Sequence, residues 1–486
     1  MKIYNSLTKK KEEFIPIEKD NVKMYACGIT VYDDSHIGHA RASVTYDMIC
    51  CYLRFLGYKV KYVRNYTDVD DKIIAKANEL NMNALDYSED RIQAVEEVFS
   101  KLGADFPDVK CKASENIENI INFVSKLIEK GYAYATEKGD VYYSVKKFKD
   151  YGKLSNINTD DLLNGVRKDV EEGKQDPLDF AVWKSAKPGE ISWPSPWGEG
   201  RPGWHIECSC MVLHNLGETI DIHGGGKDLI FPHHENEIAQ SEALTGKPLA
   251  NYWIHNGLVK INGQKMSKSL GNSLTVKHAL ELYNPEVIRY AIVSKNYSSD
   301  IDLGESEFVL AEQHLYYFYN TMNSINKFLE ENTNMKEVNN DIADNIEAKF
   351  RKAMDDDFNT PVAIAELFAI CKYVNSLCKD NKVPNDEKAY ILNKIKNEIV
   401  RCYNIIGILK ENPQELIADL KNKYIEKLGL NVSEIEKKIS DRLNAKVEKN
   451  YAMADEIRNQ LAESGIILND SKDGTTWDIK ELYNLQ

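Results

Sequence analysis

The stretch 203–237 concentrates side chains whose types and spacing suit metal binding. It contains thiols, imidazoles and carboxylates of the kinds that bind zinc, namely Cys208, Cys210, His233, His234, Glu235 and Glu237. His233 and Glu237 are four residues apart, so on a helix they share one face. Pro232 directly before them is typical of a helix start. The glycines at 224–226 would let the backbone approach a ligand closely. Because the cysteine spacing is not a CxxC pair, a glycine-rich turn before an ordinary helix with core cysteines stays open.

A second candidate site is the tetrapeptide HIGH at 36–39. Residues 22–28 alternate as in a strand, 40–56 have the apolar stripe of a helix, and 58–63 form another strand-like run. This order predicts a βαβ unit of a parallel sheet. Its first turn would place His36, Gly38 and His39 at a helix N-terminus, where free N–H groups and the helix dipole favour phosphate.

The segment 263–272 carries a third possible function. It contains Lys265 and Lys268 with two serines, and it has a glycine near each end. Such a segment could supply positive charge to a polyphosphate as a transition state forms. An exposed basic turn is the alternative interpretation.

Length, net charge and cysteine content restrict the classes of protein to which the chain can belong. The chain has 486 residues, a net charge of −14, and nine scattered cysteines. The length predicts about three domains, and the charge argues against a generally basic nucleic-acid coat while leaving a local basic patch possible. We find neither a signal peptide nor an apolar run that predicts a membrane span, and the odd, scattered cysteines favour reduced thiols in a cytosol.

The elements that must position these residues can be outlined from periodicity. Residues 112–200 read as an insertion, with a helix at 115–130, a strand at 140–145 and an acidic irregular stretch at 156–176. From 308 onward the spacing of apolar residues predicts a helical bundle. Residues 411–432 are polar and predict a linker flanked by helix.

The last part of the chain predicts a small α/β module. A helix over 439–461 would place Leu443, Val447 and Tyr451 on its apolar face. Basic residues would lie among its exposed positions: Arg442, Lys446, Lys449 and Arg458. A hairpin would follow, with Asp473 and Gly474 in the turn. A solvated helix face is the alternative to a nucleic-acid contact.

Taken together, these motifs resemble those of a known family. They are YACGITVYD at 25–33, HIGH at 36–39, NYTDVDDKII at 65–74, GWHIECS at 203–209, HGGG at 223–226, FPHHENE at 231–237, KMSKS at 265–269 and AMADEIR at 452–458. In this order the sequence resembles the class I aminoacyl-tRNA synthetases and, among them, the cysteinyl-tRNA synthetases. The resemblance covers nearly the whole chain.

The resemblance implies an α/β fold with a Rossmann-type parallel-sheet catalytic core. A connective insertion interrupts this core, and an all-α anticodon-binding bundle and a small α/β C-terminal module follow it. The expected boundaries are 1–111 and 201–307 for the two catalytic halves, the second including a stem-contact segment, 112–200 for the insertion, 308–425 for the bundle and 426–486 for the tRNA-binding end module.

The resemblance also implies site residues. The zinc ligands would be Cys27, Cys208, His233 and Glu237, which leaves Cys210 and His234 as spare. The catalytic residues would be His36, His39, Lys265 and Lys268. ATP would contact His36, Gly38, His39 and Lys268. Thr67, Trp204 and Asp228 would line the amino-acid pocket, and Arg442, Lys446, Lys449 and Arg458 are the candidates for tRNA contacts.

The implied activity is ligation of L-cysteine to tRNA(Cys) in two steps, with one Zn²⁺ per subunit and Mg²⁺ accompanying ATP. The protein is expected to be a cytoplasmic monomer that does not bind membranes. Two rivals stay open: a ligase that couples cysteine to an amino sugar, and a non-catalytic tRNA- or zinc-binding protein. A side activity in persulfide formation through Lys72 and Lys76 also stays open, against the plain interpretation of a helix surface.

Overall fold

The computed structural model describes residues 1–104, 107–157, 173–261, 263–265, 274–471 and 474–483, except the side chains of Lys265 and Ser471. These residues form two compact units. The first comprises Met1–Pro285, Lys295–Asp302 and Ala353–Thr360, and the second comprises the rest.

The first unit is an α/β structure. Its strands are β1 (Lys2–Asn5), β2 (Lys10–Glu13), β3 (Asn21–Thr30), β4 (Lys59–Thr67), β5 (Val109–Lys112), β6 (Ala133–Ala135), β7 (Val141–Tyr143), β8 (Phe180–Ser185), β9 (Gly200–Pro202), β10 (Ile220–Gly226), β11 (Ala250–Asn256), β12 (Val259–Ile261), β13 (Gln264–Lys265) and β14 (Ile301–Asp302). Its helices are α1 (Ile37–Phe55), α2 (Asp71–Glu79), α3 (Ala84–Lys101), α4 (Ile117–Glu129), α5 (Trp204–Leu216), α6 (Glu235–Thr245) and α7 (Val276–Leu282).

A five-stranded parallel sheet in the order β11-β10-β3-β4-β5 forms the centre of this unit. The βαβ unit predicted from the sequence is confirmed as β3, α1 and β4. Strands of such sheets are covered on both faces, which fits the continuous burial of Met24, Tyr25 and Ala26 in β3. Because β3 has β4 on one side and β10 on the other, the strand order reverses here. Ligands of open α/β sheets bind at the carboxyl ends of strands at such a point.

A four-stranded antiparallel sheet has the order β6-β7-β8-β9. It begins in the segment expected to be an insertion, and its last strand, β9, extends two residues past the expected end at residue 200. The expected helix and strand are present as α4 and β7, each within two residues of the predicted start. Most of the acidic stretch 156–176 lies outside the described residues. The domain boundaries themselves stay predictions.

The second unit is mainly helical. Its elements are α8 (Pro285–Val293), α9 (Glu305–Glu331), α10 (Asp341–Asp344), α11 (Ile346–Met354), α12 (Thr360–Lys379), α13 (Asn385–Tyr403), α14 (Pro413–Lys427), α15 (Val432–Val447), α16 (Tyr451–Glu463), β15 (Ile466–Ser471) and β16 (Gly474–Ile479), with Pro285, Ala353, Met354 and Thr360 belonging to the first unit. Within the described part of the chain, α12 is the one helix long and apolar enough to cross a membrane by length and composition. From the sequence we expect no apolar run long enough to span a membrane, and this helix is an exception by length and composition. Core helices of soluble proteins pass the same test, and Leu367 and Val374 of α12 are buried.

The linker predicted at 411–432 is wrong, because most of this segment is helix α14. Asn412 caps the helix, accepting from the backbone N–H groups of two first-turn residues, and Pro413 occupies its first turn. Leu416, Leu420 and Tyr424 recur every four residues and are buried. The buried apolar stripe has only three members, and the many polar residues between them make the segment resemble a linker.

The single helix predicted over 439–461 is also wrong. The chain breaks between α15 and α16, where Lys449 has a φ of 60° and Asn450 caps α16 through the backbone N–H of Met453. The expected apolar face is therefore not continuous, and Val447 and Tyr451 are exposed. The predicted hairpin is present as β15 and β16, which pair antiparallel. Asp473 lies outside the described residues.

Candidate metal centre and nucleotide cavity

Four potential metal ligands from distant parts of the chain converge in the first unit. Cys27 lies in β3, Cys208 in α5, His233 in a wide turn just before α6, and Glu237 in the first turn of α6. Their ligand atoms all lie within 4.8 Å of one another, and all four side chains are buried. Helix α6 begins at Glu235, three residues after Pro232. His233 and Glu237 nevertheless face each other, with Nε2 and Oε1 3.1 Å apart.

The distances among these donors fit a tetrahedral zinc ion. The sulfurs of Cys27 and Cys208 are 3.9 Å apart, and Cys27 Sγ is 3.3 Å from Glu237 Oε1. Two sulfurs bound to one tetrahedral zinc lie about 3.8 Å apart, since each Zn–S bond is about 2.3 Å. Nitrogen and oxygen ligands, at about 2.0 Å from the ion, lie about 3.3 Å apart. Thiolate, imidazole and carboxylate are also the donor types that zinc takes.

The electrostatics of the cluster favour negatively charged donors. The hydrogen bond from Cys27 lowers the pKa of the Cys208 thiol to about 6, while burial raises the pKa of Cys27. Burial opposes ionisation of Glu237, yet the neighbouring imidazoles of His223 and His233 hold its pKa well below the usual range. Burial alone would lower the pKa of His233, but the charges of Cys208 and Glu237 raise it to about 10. The buried thiolate of Cys208 and carboxylate of Glu237 are suited to a divalent cation.

Further histidines surround the four candidate ligands. His223 Nε2 is 2.9 Å from Glu237 Oε2, and His205 Nδ1 is 2.9 Å from His233 Nδ1. Such outer hydrogen bonds orient metal ligands. His234 instead contacts His255, with 2.8 Å between Nδ1 and Nε2. The sequence analysis missed His205, His223 and His255. The sequence carries one signal for them, the clustering of histidines: six of the ten in the chain lie between residues 205 and 255, and the rings of five of these contact one another.

Gly224 and Gly225 serve packing, which corrects for these two the expectation that the glycines give a ligand access to the backbone; Gly226 lines a cavity beside the candidate metal ligands. A Cβ added to Gly224 would lie 2.3 Å from Cε1 of Tyr46, and one on Gly225 would lie 2.6 Å from Cε1 of His234. Both aromatic rings are buried. These two glycines therefore let helix α1 and the histidine cluster approach strand β10 closely.

We expect Gly224→Ala to lower the free energy of unfolding by about 1–3 kcal/mol, because overpacking forces buried groups to move. Urea denaturation followed by circular dichroism measures this change. Gly226→Ala is the matched variant: its added Cβ would meet the end of the Asp228 side chain, which can rotate away. Equal stability of Gly224→Ala and the wild-type protein would contradict the packing role.

A cavity of about 350 Å³ lies beside the candidate metal ligands. Residues from the carboxyl ends of the strands and from the start of α1 line it, including Cys27, His36, Gly38, His39, Trp204, Asp228 and the segment 256–259. Two of the three residues expected in the amino-acid pocket, Trp204 and Asp228, thus face the cavity. Thr67 is not among the lining residues; it is buried and its hydroxyl donates to Glu207 Oε2 at 3.0 Å.

The HIGH motif forms the N-terminus of α1. The Nδ1 atom of His36 accepts from the backbone N–H of Gly38 at 3.1 Å, and Nδ1 of His39 accepts from the backbone N–H of His36 at 3.3 Å. The two rings stack with centroids 3.6 Å apart. Because Nδ1 accepts in each ring, the ring proton of the neutral form is on Nε2, which is then a donor.

The two lysines expected to be catalytic have no described side chains. The backbone of Lys265 lies in β13, paired with Lys260 of β12. Lys268 lies outside the described residues. Both stay predictions.

The basic residues proposed for tRNA binding divide into two groups. Arg442 is buried, which corrects its expected exposure, and its guanidinium donates two hydrogen bonds to the carboxylate of Asp470 at 2.8 and 2.7 Å. Lys446 also contacts Asp470, at 3.1 Å. Lys449 and Arg458 are exposed. Arg442 is thus engaged in holding the hairpin to α15, because a bidentate pair is strong and directional.

Comparisons with known proteins define the class. Residues 13–313 match the family described as tRNA synthetases class I (C) catalytic domain, and residues 349–410 match the DALR domain. The fold is similar to that of Mycobacterium tuberculosis methionyl-tRNA synthetase in complex with methionyl-adenylate, with a TM-score of 0.62 at 13% identity over 85% of this chain and 95% of that chain. The protein is a class I aminoacyl-tRNA synthetase.

Curated relatives identify the family to which the chain belongs within this class. The chain is 47% identical over 485 residues to the cysteine--tRNA ligase of Geobacter metallireducens, covering 99% of this chain and 100% of the relative. It is 48% identical over 478 residues to that of Francisella tularensis subsp. novicida, covering 98% and 99% of the two chains. The chain belongs to the cysteine--tRNA ligase family.

Proposed function

We propose that this protein attaches L-cysteine to tRNA(Cys) in two steps. In the first, a carboxylate oxygen of cysteine attacks the α-phosphorus of ATP, which forms cysteinyl adenylate and releases pyrophosphate. In the second, a ribose hydroxyl of the tRNA's terminal adenosine attacks the acyl carbon and AMP leaves. The single observation that carries the proposal is that one cavity is lined both by Cys27 of the candidate metal cluster and by His36 at the N-terminus of α1.

The residues that would hold zinc are Cys27, Cys208, His233 and Glu237. When bound, zinc would supply a Lewis acid that binds a thiolate and discriminates against the hydroxyl of serine. Such chemistry is needed because an apolar pocket separates side chains of similar size by only about 1–3 kcal/mol. Trp204, whose ring centroid is 4.3 Å from that of His233, covers this end of the cavity, and the Asp228 carboxylate there suits the substrate ammonium group.

The start of α1 binds and orients the triphosphate. The positive end of the helix dipole at this helix start attracts phosphate, and the Nε2–H groups of His36 and His39 would be donors to it. The chemical step needs alignment and charge stabilisation rather than a covalent enzyme intermediate. Lys265 and Lys268 would add charge on the phosphates, and Mg²⁺ would accompany ATP as part of the substrate.

The decisive experiment is cysteine-dependent exchange of pyrophosphate into ATP, combined with charging of tRNA(Cys) transcript and metal analysis of the same preparation. We expect exchange, charging and about one zinc per chain. Exchange without tRNA charging, but with coupling to an amino sugar, would favour the rival ligase. Absence of exchange in a zinc-loaded protein would favour a non-catalytic binding protein. The full-length match to tRNA ligases supports charging over both.

The protein is further proposed to act as a monomer in the cytoplasm. All nine cysteines are free, and the candidate ligands among them must be reduced to bind metal. A reducing compartment meets this requirement. Sedimentation of the purified protein measures the oligomeric state.

The exposed basic residues Lys449 and Arg458 are proposed to contact tRNA phosphates. Replacing both by alanine should weaken tRNA binding and reduce the slope of log K against log salt by about 1.5, since each phosphate contact contributes about 0.7–0.9. Filter binding across a salt series measures the slope. Lys101→Ala, an exposed lysine paired with Glu97 in the first unit, is the control and should leave it unchanged. An unchanged slope in the double variant would contradict the assignment.

A further inference from the structure

Arg41 is a buried cation in the helix that begins with the HIGH motif. It lies two residues after His39 in α1, and only 1% of it is exposed. Arginine is almost never fully buried unless its charge and donors are matched. The proposed mechanism gives Arg41 no role, so the reason for its burial must be sought in the groups that it contacts.

The guanidinium of Arg41 donates to a group of backbone carbonyls. Nη1 donates to the carbonyl of Leu258 at 2.8 Å, and Nη2 donates to that of Tyr297 at 3.0 Å. Nη2 also approaches the carbonyl of Asn296 at 3.4 Å and hydrogen-bonds to that of Ser299. The planar fork of arginine can serve acceptors in several directions at once, which lysine cannot do.

These carbonyls belong to the second wall of the cavity and to the segment behind it. Asn256, Gly257, Leu258 and Val259 line the same cavity as the start of α1. Gly257 packs directly against the chain behind: a Cβ added there would lie 2.1 Å from the carbonyl oxygen of Ser299. The wall therefore has backbone support, and Arg41 joins that support to α1.

Other contacts fix α1 on its remaining sides. The backbone N–H of Ile37 donates to the carbonyl of Leu274 at 2.9 Å. The hydroxyl of Tyr46 hydrogen-bonds to the carbonyls of Gly225 and Ile254 at 2.8 and 2.9 Å. Arg41 differs from these because its carbonyl partners include that of Leu258, which lines the cavity together with the HIGH motif. Its loss should therefore change the separation of the two walls.

Arg41 stays charged at neutral pH despite its burial. Burial lowers the pKa of its guanidinium to about 10, and the charge of Asp300 acts in the opposite direction. The Asp300 carboxylate accepts from the backbone N–H of Leu258 at 3.0 Å. Charge-assisted bonds from a cation are stronger than neutral ones, so Arg41 holds the wall firmly.

We infer that Arg41 is a positioning residue that sets the width of the nucleotide cavity and thereby the binding of ATP. It acts through the backbone of residues 256–259 and does not touch the reacting atoms. The inference rests on the proposed function and goes beyond it by assigning ATP affinity to a residue outside the cavity lining.

The test compares Arg41→Lys and Gly257→Ala in the full-length, zinc-loaded protein. Lysine keeps the charge but loses the fork, while the methyl group added at Gly257 displaces the carbonyl of Ser299, an acceptor of Arg41, without changing Arg41 itself. We expect either change to raise the KM for ATP in pyrophosphate exchange about tenfold or more, since small misplacements are costly. The KM for cysteine should change less than twofold and the zinc content should stay at the wild-type value. Arg54→Gln, an exposed arginine of the same helix paired with Asp108, should behave as wild type.

Equal rises in the KM for ATP and for cysteine would overturn the inference, because general damage to the fold would affect both. Wild-type ATP KM in both variants would also overturn it. If Arg41→Lys loses its folded circular dichroism signal, Gly257→Ala decides alone, with AMP affinity from calorimetry as the second readout. A wild-type protein without cysteine-dependent exchange would instead refute the proposed function, and AMP affinity of the two variants would then decide the role of Arg41.

Discussion

Replacing Cys208 by serine is expected to remove the bound zinc and to lower kcat/KM for cysteine by about 1000-fold or more, equivalent to about 4 kcal/mol. The hydroxyl of serine is a far poorer zinc ligand than a thiolate. The remaining thiol would not compensate, because the cluster lowers the pKa of Cys208 to about 6 while burial raises that of Cys27. Metal analysis and pyrophosphate exchange on the same sample measure both effects.

The matched control is Cys210→Ser. Cys210 is buried two residues further along α5, but it packs in a different apolar cluster, with Val182, Trp183 and Ile206. This variant should lose stability while keeping its zinc and its kcat/KM per folded molecule. If Cys208→Ser kept a full zinc content, or if both variants lost zinc equally, the assignment of the ligands would be wrong.

Exchange driven by serine provides a third readout. The wild-type protein should reject serine strongly, since discrimination rests on the ion and on its thiolate preference. In Cys208→Ser the residual activity should be far less selective, because what remains is an apolar pocket with a discrimination of about 1–3 kcal/mol. Residual activity that is as selective as the wild type would place discrimination elsewhere in the cavity.

The sequence predicted the parts of this molecule that depend on local periodicity and on motif order. The strand, helix and strand around the HIGH motif follow from alternation and an apolar stripe, and the C-terminal hairpin follows from its turn residues. Local pattern alone could not bring Cys27 next to Glu237, since they are 210 residues apart. The motif resemblance implied that set, and the structure brings its four members together.

The failures have physical reasons as well. The basic face around Arg442 looked exposed because helical periodicity does not reveal a partner 28 residues away, and Asp470 is that partner. The helix was extended past Lys449 because a positive φ at a lysine leaves no mark in the sequence. The role of Arg41 could not be predicted from the sequence, because its partners are backbone carbonyls, which every residue carries.

His36 offers the other large expected effect, because it combines two roles that substitution can separate. Its Nδ1 caps α1, and the residue lines the cavity in which its Nε2–H is proposed to contact phosphate. Asparagine is a favourable N-cap residue and can accept from the same backbone N–H of Gly38, whereas alanine cannot. Neither replacement supplies the imidazole donor.

We expect His36→Asn and His36→Ala to slow adenylate formation to a similar degree, by about 100- to 1000-fold, as for loss of one preorganised donor to a developing charge. Their stabilities should differ. His36→Ala should lose about 1 kcal/mol of unfolding free energy through the missing cap, and His36→Asn should stay near the wild-type value. Pyrophosphate exchange and urea denaturation give the two quantities.

The control for both is His278→Asn, a change at an exposed histidine that pairs with Glu281 in α7. It should leave exchange and stability unaltered. Exchange in His36→Asn within threefold of wild type, together with a loss in His36→Ala, would mean that His36 acts only through the shape of the helix start. Phosphate recognition would then rest on the dipole of α1, and His39 would be the next residue to test.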